Sequence, residues 1–146
     1  MIALGSDHGG FQLKEIIKQH LQEKGYEVKD FGTHSEESCD YPYYGKIVGQ
    51  AVASGECEKG ILVCGTGIGI SLAANKVHGV RAAVCSDAFS AKYTRLHNDA
   101  NILAMGGRVV GSGLALELVD IFLNTEFEGG RHQRRIDQLM AIEQEQ

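Results

Sequence analysis

The chain has 146 residues, 43% of them hydrophobic and 23% charged, with a formal net charge of −5. That is the size and make-up of one globular domain with a full core, and the acidic balance argues against a general nucleic-acid binder, which presents a basic surface. No apolar run approaches the roughly 20 residues of a membrane span, and the start, Met1-Ile2-Ala3-Leu4-Gly5, lacks the basic region and long apolar stretch of a secretory signal, so the expected setting is the cytoplasm, away from membranes.

Short apolar runs alternate with longer amphipathic ones. Residues 2–6 predict a first strand, followed by Asp7, His8, Gly9 and Gly10. Phe11, Leu13, Ile16, Ile17 and Leu21 then recur at helical spacing until Gly25, a residue suited to end a helix. Residues 26–31 predict a second strand, and a polar loop runs from Gly32 to Tyr41. Pro42 suits the first turn of the next helix, whose apolar face is Ile47, Val48, Ala51 and Val52. Residues 61–64 predict a third strand, residues 65–69 a glycine-rich turn, and residues 70–76 a helix. Residues 81–85 predict a fourth strand, with a helix over about 88–96 behind it; residues 102–105 predict a fifth, followed by a helix over 114–123. A polar helix over about 131–145 closes the chain and is expected to reach a neighbouring subunit. Such alternation implies an α/β fold with a parallel sheet covered on both faces, in one domain spanning 1–146. The strand order stays open, but ligands of such sheets bind beyond the carboxyl ends of the strands.

The most informative segment is Gly60-Ile61-Leu62-Val63-Cys64-Gly65-Thr66-Gly67-Ile68-Gly69. It places a cysteine where a buried strand meets a glycine turn and a helix start. Glycines let the backbone approach a ligand closely. Backbone N–H groups at a helix start attract anions, and the same field favours a thiolate. One segment can thus supply a base and an oxyanion site. Two other readings stay open: a packing turn with Cys64 as core, and an imperfect dinucleotide loop with Asp87 as the ribose-binding acid. No C-x-x-C pair occurs among Cys39, Cys57, Cys64 and Cys85, which argues against a zinc knuckle or thioredoxin motif, and Cys85 reads as a small buried side chain. Asp7 and His8 suit either a polar ligand or a helix cap beside a surface imidazole. His97 reads as a proton donor near neutral pH or as a cation at a helix end. Arg108, held among glycines, suits an anion. Arg131 and Arg135 share a helix face as a phosphate clamp or a solvated charge run, and Arg134 points elsewhere.

Several stretches together resemble one family, the ribose 5-phosphate isomerase type B and galactose/allose 6-phosphate isomerases. They are Gly5-Ser6-Asp7-His8-Gly9-Gly10, Asp40-Tyr41-Pro42, residues 60–69, Ala73-Ala74-Asn75-Lys76, His97-Asn98-Asp99-Ala100-Asn101 and Gly129-Gly130-Arg131-His132. The order is kept over nearly the whole chain. The resemblance implies a Rossmann-like, three-layer α/β/α sandwich on a five-stranded parallel sheet. It implies a homodimer or dimer of dimers with active sites shared between subunits, and neither metal nor other cofactor. It assigns Cys64 as the base, with Thr66 lending its hydroxyl and His97 acting as the ring-opening acid. It assigns Asp7, His8, Tyr41, Gly65, Thr66, Gly67, Ile68, Gly69, Asn98, Arg108, Arg131 and Arg135 as contacts of a phosphorylated sugar. Some relatives carry the base on a later glutamate; here Asn75 stands on that helix and Cys64 is present. The implied reaction interconverts ribose 5-phosphate and ribulose 5-phosphate through a cis-enediolate. Six-carbon sugar phosphates are the nearest alternative, and a nucleotide- or sugar-phosphate-binding module and a redox-sensing cysteine are more distant ones.

Overall fold

The apolar runs fold as five parallel strands and the amphipathic runs as six helices in a computed structural model that describes residues 1–146. In chain order these are β1 (Ile2–Ser6), α1 (Phe11–Glu23), β2 (Val28–Asp30), α2 (Tyr41–Ala53), β3 (Lys59–Cys64), α3 (Ile68–Asn75), β4 (Ala82–Val84), α4 (Ala88–Asn98), β5 (Ile102–Gly106), α5 (Ser112–Asn124) and α6 (Arg131–Ala141). Short 3-10 turns precede α1 and follow α6. The sheet order is β2-β1-β3-β5-β4, all parallel.

Both faces of the central strands are buried, which is why they read as continuous apolar runs rather than alternating ones. Leu4, Ile61, Val63, Leu103 and Met105 pack with Leu13 and Ile17 of α1 and Leu118 and Phe122 of α5. Ala3, Leu62, Cys64, Ile102 and Ala104 pack with Val48 and Val52 of α2 and Ile70 and Ala74 of α3. The result is the expected three-layer sandwich. The last helix is shorter than expected: α6 ends at Ala141 and the chain continues as a 3-10 turn, Ile142–Glu145. That turn is tied to its own chain, since both carboxylate oxygens of Glu143 accept the Gly79 N–H (3.0 and 3.3 Å).

The order places a topological switch between β1 and β3, because the chain leaves β1 toward β2 on one side and returns to β3 on the other. The crevice of such a sheet opens there, beyond the carboxyl ends. Asp7-His8-Gly9-Gly10 and Cys64-Gly65-Thr66-Gly67 both follow those two strand ends.

Candidate active site

Cys64 is the last residue of β3 and only 4% exposed. Its sulfur accepts the Gly67 N–H at 3.1 Å. Gly67 makes that contact with φ +83°, and a Cβ there would lie 2.7 Å from the Met105 carbonyl carbon, so the turn tolerates no side chain. The same residue occupies the N-cap of α3, which starts at Ile68 rather than at the expected position 70. The Thr66 hydroxyl accepts the Ile68 N–H (3.2 Å), which leaves its own proton free to donate. The N–H groups of Gly65, Thr66 and Gly69 have no partner within the chain. A buried sulfur thus accepts one N–H and adjoins a turn with three unpaired ones at a helix start, the arrangement that can receive a developing oxyanion.

Neighbouring loops close on this turn. Gly107 N–H donates to the Cys64 carbonyl (2.8 Å) and Arg108 N–H to that of Gly65 (3.1 Å), which pins the segment after β5 onto the segment after β3. A Cβ on Gly65 would sit 3.3 Å from Arg108 Nη1, and one on Gly69 would sit 2.7 Å from the Tyr41 ring. Glycine at 65 and 69 therefore makes room for a guanidinium and a phenol over the turn. From the β1 side, a Cβ on Gly9 would lie 3.2 Å from Gly65 N. His8 Nδ1 accepts the Cys39 N–H (3.2 Å), which leaves Nε2 as the nitrogen bearing the ring proton. The Asp7 carboxylate caps the first turn, its Oδ1 accepting Gly10 N–H (3.1 Å). Asp7, His8, Tyr41, Cys64 to Gly69 and Arg108 form one group.

The other sequence-derived candidates lie elsewhere. α4 starts beyond the carboxyl end of β4 and runs back, so its last turn, with His97 and Asn98, reaches the amino end of the sheet. Asn101, just beyond it, accepts Gly60 N–H at the start of β3. The strand from Gly60 to Cys64 spans about 13 Å. His97 therefore does not follow a strand end, and one chain does not bring it to Cys64. α6 lies beside it: the rings of His97 and His132 stack at 4.0 Å and 14°, Tyr93 meets His97 edge-on at 5.1 Å, and Glu128 Oε2 is 3.7 Å from His97 Nε2. Burial, helped by positive His97, Arg131 and Arg135 and opposed by Glu128, holds His132 below the ordinary histidine range. Arg131 and Arg135 are exposed, and ion pairs among the arginines are confined to Arg81 and Arg95. His97, Asn98, Arg131 and Arg135 form a second group.

Glu128 and His132 carry no site role in the sequence reading; His132 stands at the end of the stretch Gly129-Gly130-Arg131-His132 that carries part of the resemblance, and Glu128 lies just before it. His97, Glu128 and His132 bring three ligand-type atoms within 4.8 Å of one another. A metal must lie in the plane of each imidazole that binds it, and two nearly parallel stacked rings share no such point. Asp87 caps α4, its Oδ2 accepting the Ser90 N–H (2.8 Å), the ordinary role of an aspartate at a helix start. Burial, then Asp87, pushes the Cys85 thiol up to about 11, in keeping with a core residue.

A family model described as ribose/galactose isomerase matches residues 2–139. The ribose-5-phosphate isomerase B of Escherichia coli (strain K12) is 57% identical over 143 residues, which cover 98% of this chain and 96% of that protein. A putative sugar phosphate isomerase of Bacillus subtilis (strain 168) is 52% identical, covering 98% and 97%. Among solved structures, ribose-5-phosphate isomerase B of Clostridium thermocellum is similar with a TM-score of 0.98 at 58% identity, covering 99% of this chain and 97% of that one. The enzyme of Mycoplasma genitalium, solved with bound ribulose-5-phosphate, gives a TM-score of 0.95 at 42% identity, covering 99% and 97%. No helix of this chain is long and apolar enough to cross a membrane.

Proposed function

The chain belongs to the ribose/galactose isomerase family, and on that premise we propose that it interconverts D-ribose 5-phosphate and D-ribulose 5-phosphate through a cis-enediolate, with Cys64 as the base. The observation that carries the assignment is the Cys64 sulfur under the Gly67 N–H, beside the unpaired N–H groups of Gly65, Thr66 and Gly69. Cys64 takes the proton from C2 and returns it to C1. The thiolate is a modest base, so the enediolate oxygens must be stabilised as charge develops. Removing one such donor typically costs about 10²–10³ in rate. The Thr66 hydroxyl, the His8 Nε2–H and Arg108 line the same crevice and complete the substrate contacts, with Asp7 and Tyr41 beside them. No step calls for a metal or other cofactor.

The second group completes the site from another copy of the chain. His97 protonates the ring oxygen as the cyclic sugar opens, Asn98 contacts the sugar, and Arg131 and Arg135 clamp the phosphate. The support is geometric. Each group lacks what the other holds, and they occupy opposite ends of one sheet. A free sheet edge and exposed apolar side chains are available for association. β4 is an edge strand whose Ala82 is paired only by the Asn75 side chain on the outer side (2.8 and 3.0 Å). Val84, Phe89, Ile68 and Leu72 are 41%, 68%, 55% and 60% exposed, apolar surface that association would cover. On this reading the working unit is a homodimer, alone or doubled. Its four free cysteines, one of them the base, fit a reducing compartment, and we place the protein in the cytoplasm.

A substrate panel tests the assignment. Ribose 5-phosphate is expected to give a kcat/KM at least about tenfold above those of allose 6-phosphate and galactose 6-phosphate, since one extra carbon in a fitted pocket costs about 1–3 kcal/mol. A six-carbon sugar phosphate at the head of the panel would move the chain to the other branch of the family.

A further inference from the structure

Two points fasten the segment before α6 to the last turn of α4. Glu128 N–H donates to the Leu96 carbonyl (3.1 Å), and Arg95 Nε donates to the Thr125 carbonyl (3.0 Å). Arg95 is itself 5% exposed and held by Asp99 Oδ1 (2.9 Å) and the Ala100 carbonyl (2.7 Å). These anchors flank His97 in sequence and in space. They fix the backbone of Glu128 beside His97, whose Nε2 lies 3.7 Å from the Glu128 Oε2. The buried His132 ring lies flat against one face of His97, and Tyr93 meets it edge-on. An ordinary surface histidine has neither a carboxylate on a fixed backbone beside it nor a ring on its face.

We infer that Glu128 is a positioning residue for His97: it holds the Nε2 side of the imidazole, so that Nδ1 is the nitrogen presented to the sugar ring oxygen, while His132 supports the ring face. This inference rests on His97 being the ring-opening acid. Glu128 touches no reacting atom and acts only through His97. The carboxylate also matches the charge that forms: while His97 holds the proton it will donate, its imidazolium pairs with Glu128, and after donation the neutral ring stays in place through Nε2. In the structure the two groups stand at ion-pair distance, 3.7 Å; closed to a hydrogen bond on the imidazolium in the substrate complex, the contact is worth about tenfold in rate or somewhat more.

The experiment uses the intact enzyme and two substrates. Ribose 5-phosphate arrives mostly as a ring; erythrose 4-phosphate, whose C4 hydroxyl is esterified, cannot close a five-membered ring. Glu128→Ala is expected to lower kcat on ribose 5-phosphate about tenfold with KM within about twofold, and to leave erythrose 4-phosphate turnover within about twofold. Glu128→Gln, which keeps an acceptor oxygen at the same reach, should recover most of the loss. Equal losses on both substrates, or no loss on either, would overturn the positioning role and leave Glu128 a rim charge. A second measurement needs only ribose 5-phosphate: in a His97→Asn background, Glu128→Ala should change kcat by less than about twofold, because the two act as a unit. Independent, multiplying losses would overturn the inference. If His97→Asn alone fails to discriminate ring from open chain, the ring-opening assignment itself falls; if it discriminates and Glu128→Ala does not, only the inference about Glu128 falls.

Discussion

Cys64→Ala is expected to abolish isomerisation while sparing binding. A general base contributes about 10²–10⁴ in rate, and a methyl group cannot take a proton, so kcat should fall by about 10³ or more. The substrate contacts of the glycine turn, Arg108 and the phosphate clamp remain, so ribulose 5-phosphate should bind within a few-fold of its normal affinity by calorimetry. Cys85→Ala is the control. Both cysteines are buried and follow similar apolar runs. Only Cys64 has a backbone N–H aimed at its sulfur, whereas the Cys85 thiol is pushed up to about 11 and stays protonated near neutral pH. Near-normal turnover of Cys64→Ala would remove it as the base.

Lys14→Met should be the most destabilising substitution of a charged residue. Lys14 is 0% exposed, a rare state for lysine, yet its ammonium is fully occupied. It donates to both oxygens of Asp30 (2.9 Å each) and to the Thr33 carbonyl (2.5 Å). Burial alone would raise the Asp30 carboxyl; hydrogen bonds from Lys14, the Gly32 N–H and Lys18 outweigh it and hold the group below its usual range. Removing the ammonium strands a buried carboxylate and the Thr33 carbonyl. Breaking a buried pair from one side costs about 3–5 kcal/mol, and the remaining Lys18 contact puts the expected loss near the lower end, about 3 kcal/mol, by denaturant titration. Lys14→Met combined with Asp30→Asn should recover part of that loss, since the stranded charge is gone. The sign of the pH dependence follows from the lowered carboxyl: the stabilisation from Asp30 is present above the ordinary aspartate range and is lost as pH falls through its folded-state value. An unchanged midpoint in Lys14→Met would mean the pair contributes nothing net. The clamp also bears on the site, because the loop it fixes after β2 carries Cys39, whose N–H orients His8.

The contrast between Lys14 and Cys64 illustrates what sequence patterns convey. β3 and β5 were legible because both faces are buried and the apolar run is unbroken. β2 is shorter than its pattern, Val28–Asp30 rather than 26–31, because it lies at an edge and pairs through only three residues. Lys14 was illegible: helical periodicity places it beside Leu13 on the buried side, and its partner Asp30 lies in another element. The resemblance implied sites shared between subunits, but not which candidate residues fall in which of the two groups. A direction argument would have found it, since a helix that follows a parallel strand returns to the amino end, and His97 is in the last turn of such a helix. Strand order was open from sequence, and it is the order β2-β1-β3-β5-β4 that sets Asp7 and Cys64 on either side of one crevice.

The central claim is a site made of Cys64 from one copy and His97 from another, and subunit mixing tests it most directly. Cys64→Ala and His97→Asn homodimers should each be nearly inactive on cyclic ribose 5-phosphate. In a symmetric dimer with two equivalent shared sites, a mixed dimer carries both substitutions in one site and neither in the other. Equal amounts, mixed and allowed to exchange, should therefore regain about a quarter of wild-type activity, because half the dimers are mixed and each has one intact site of two. A mixture whose exchange is verified by mass spectrometry, yet which stays as inactive as its parents, would contradict the shared site.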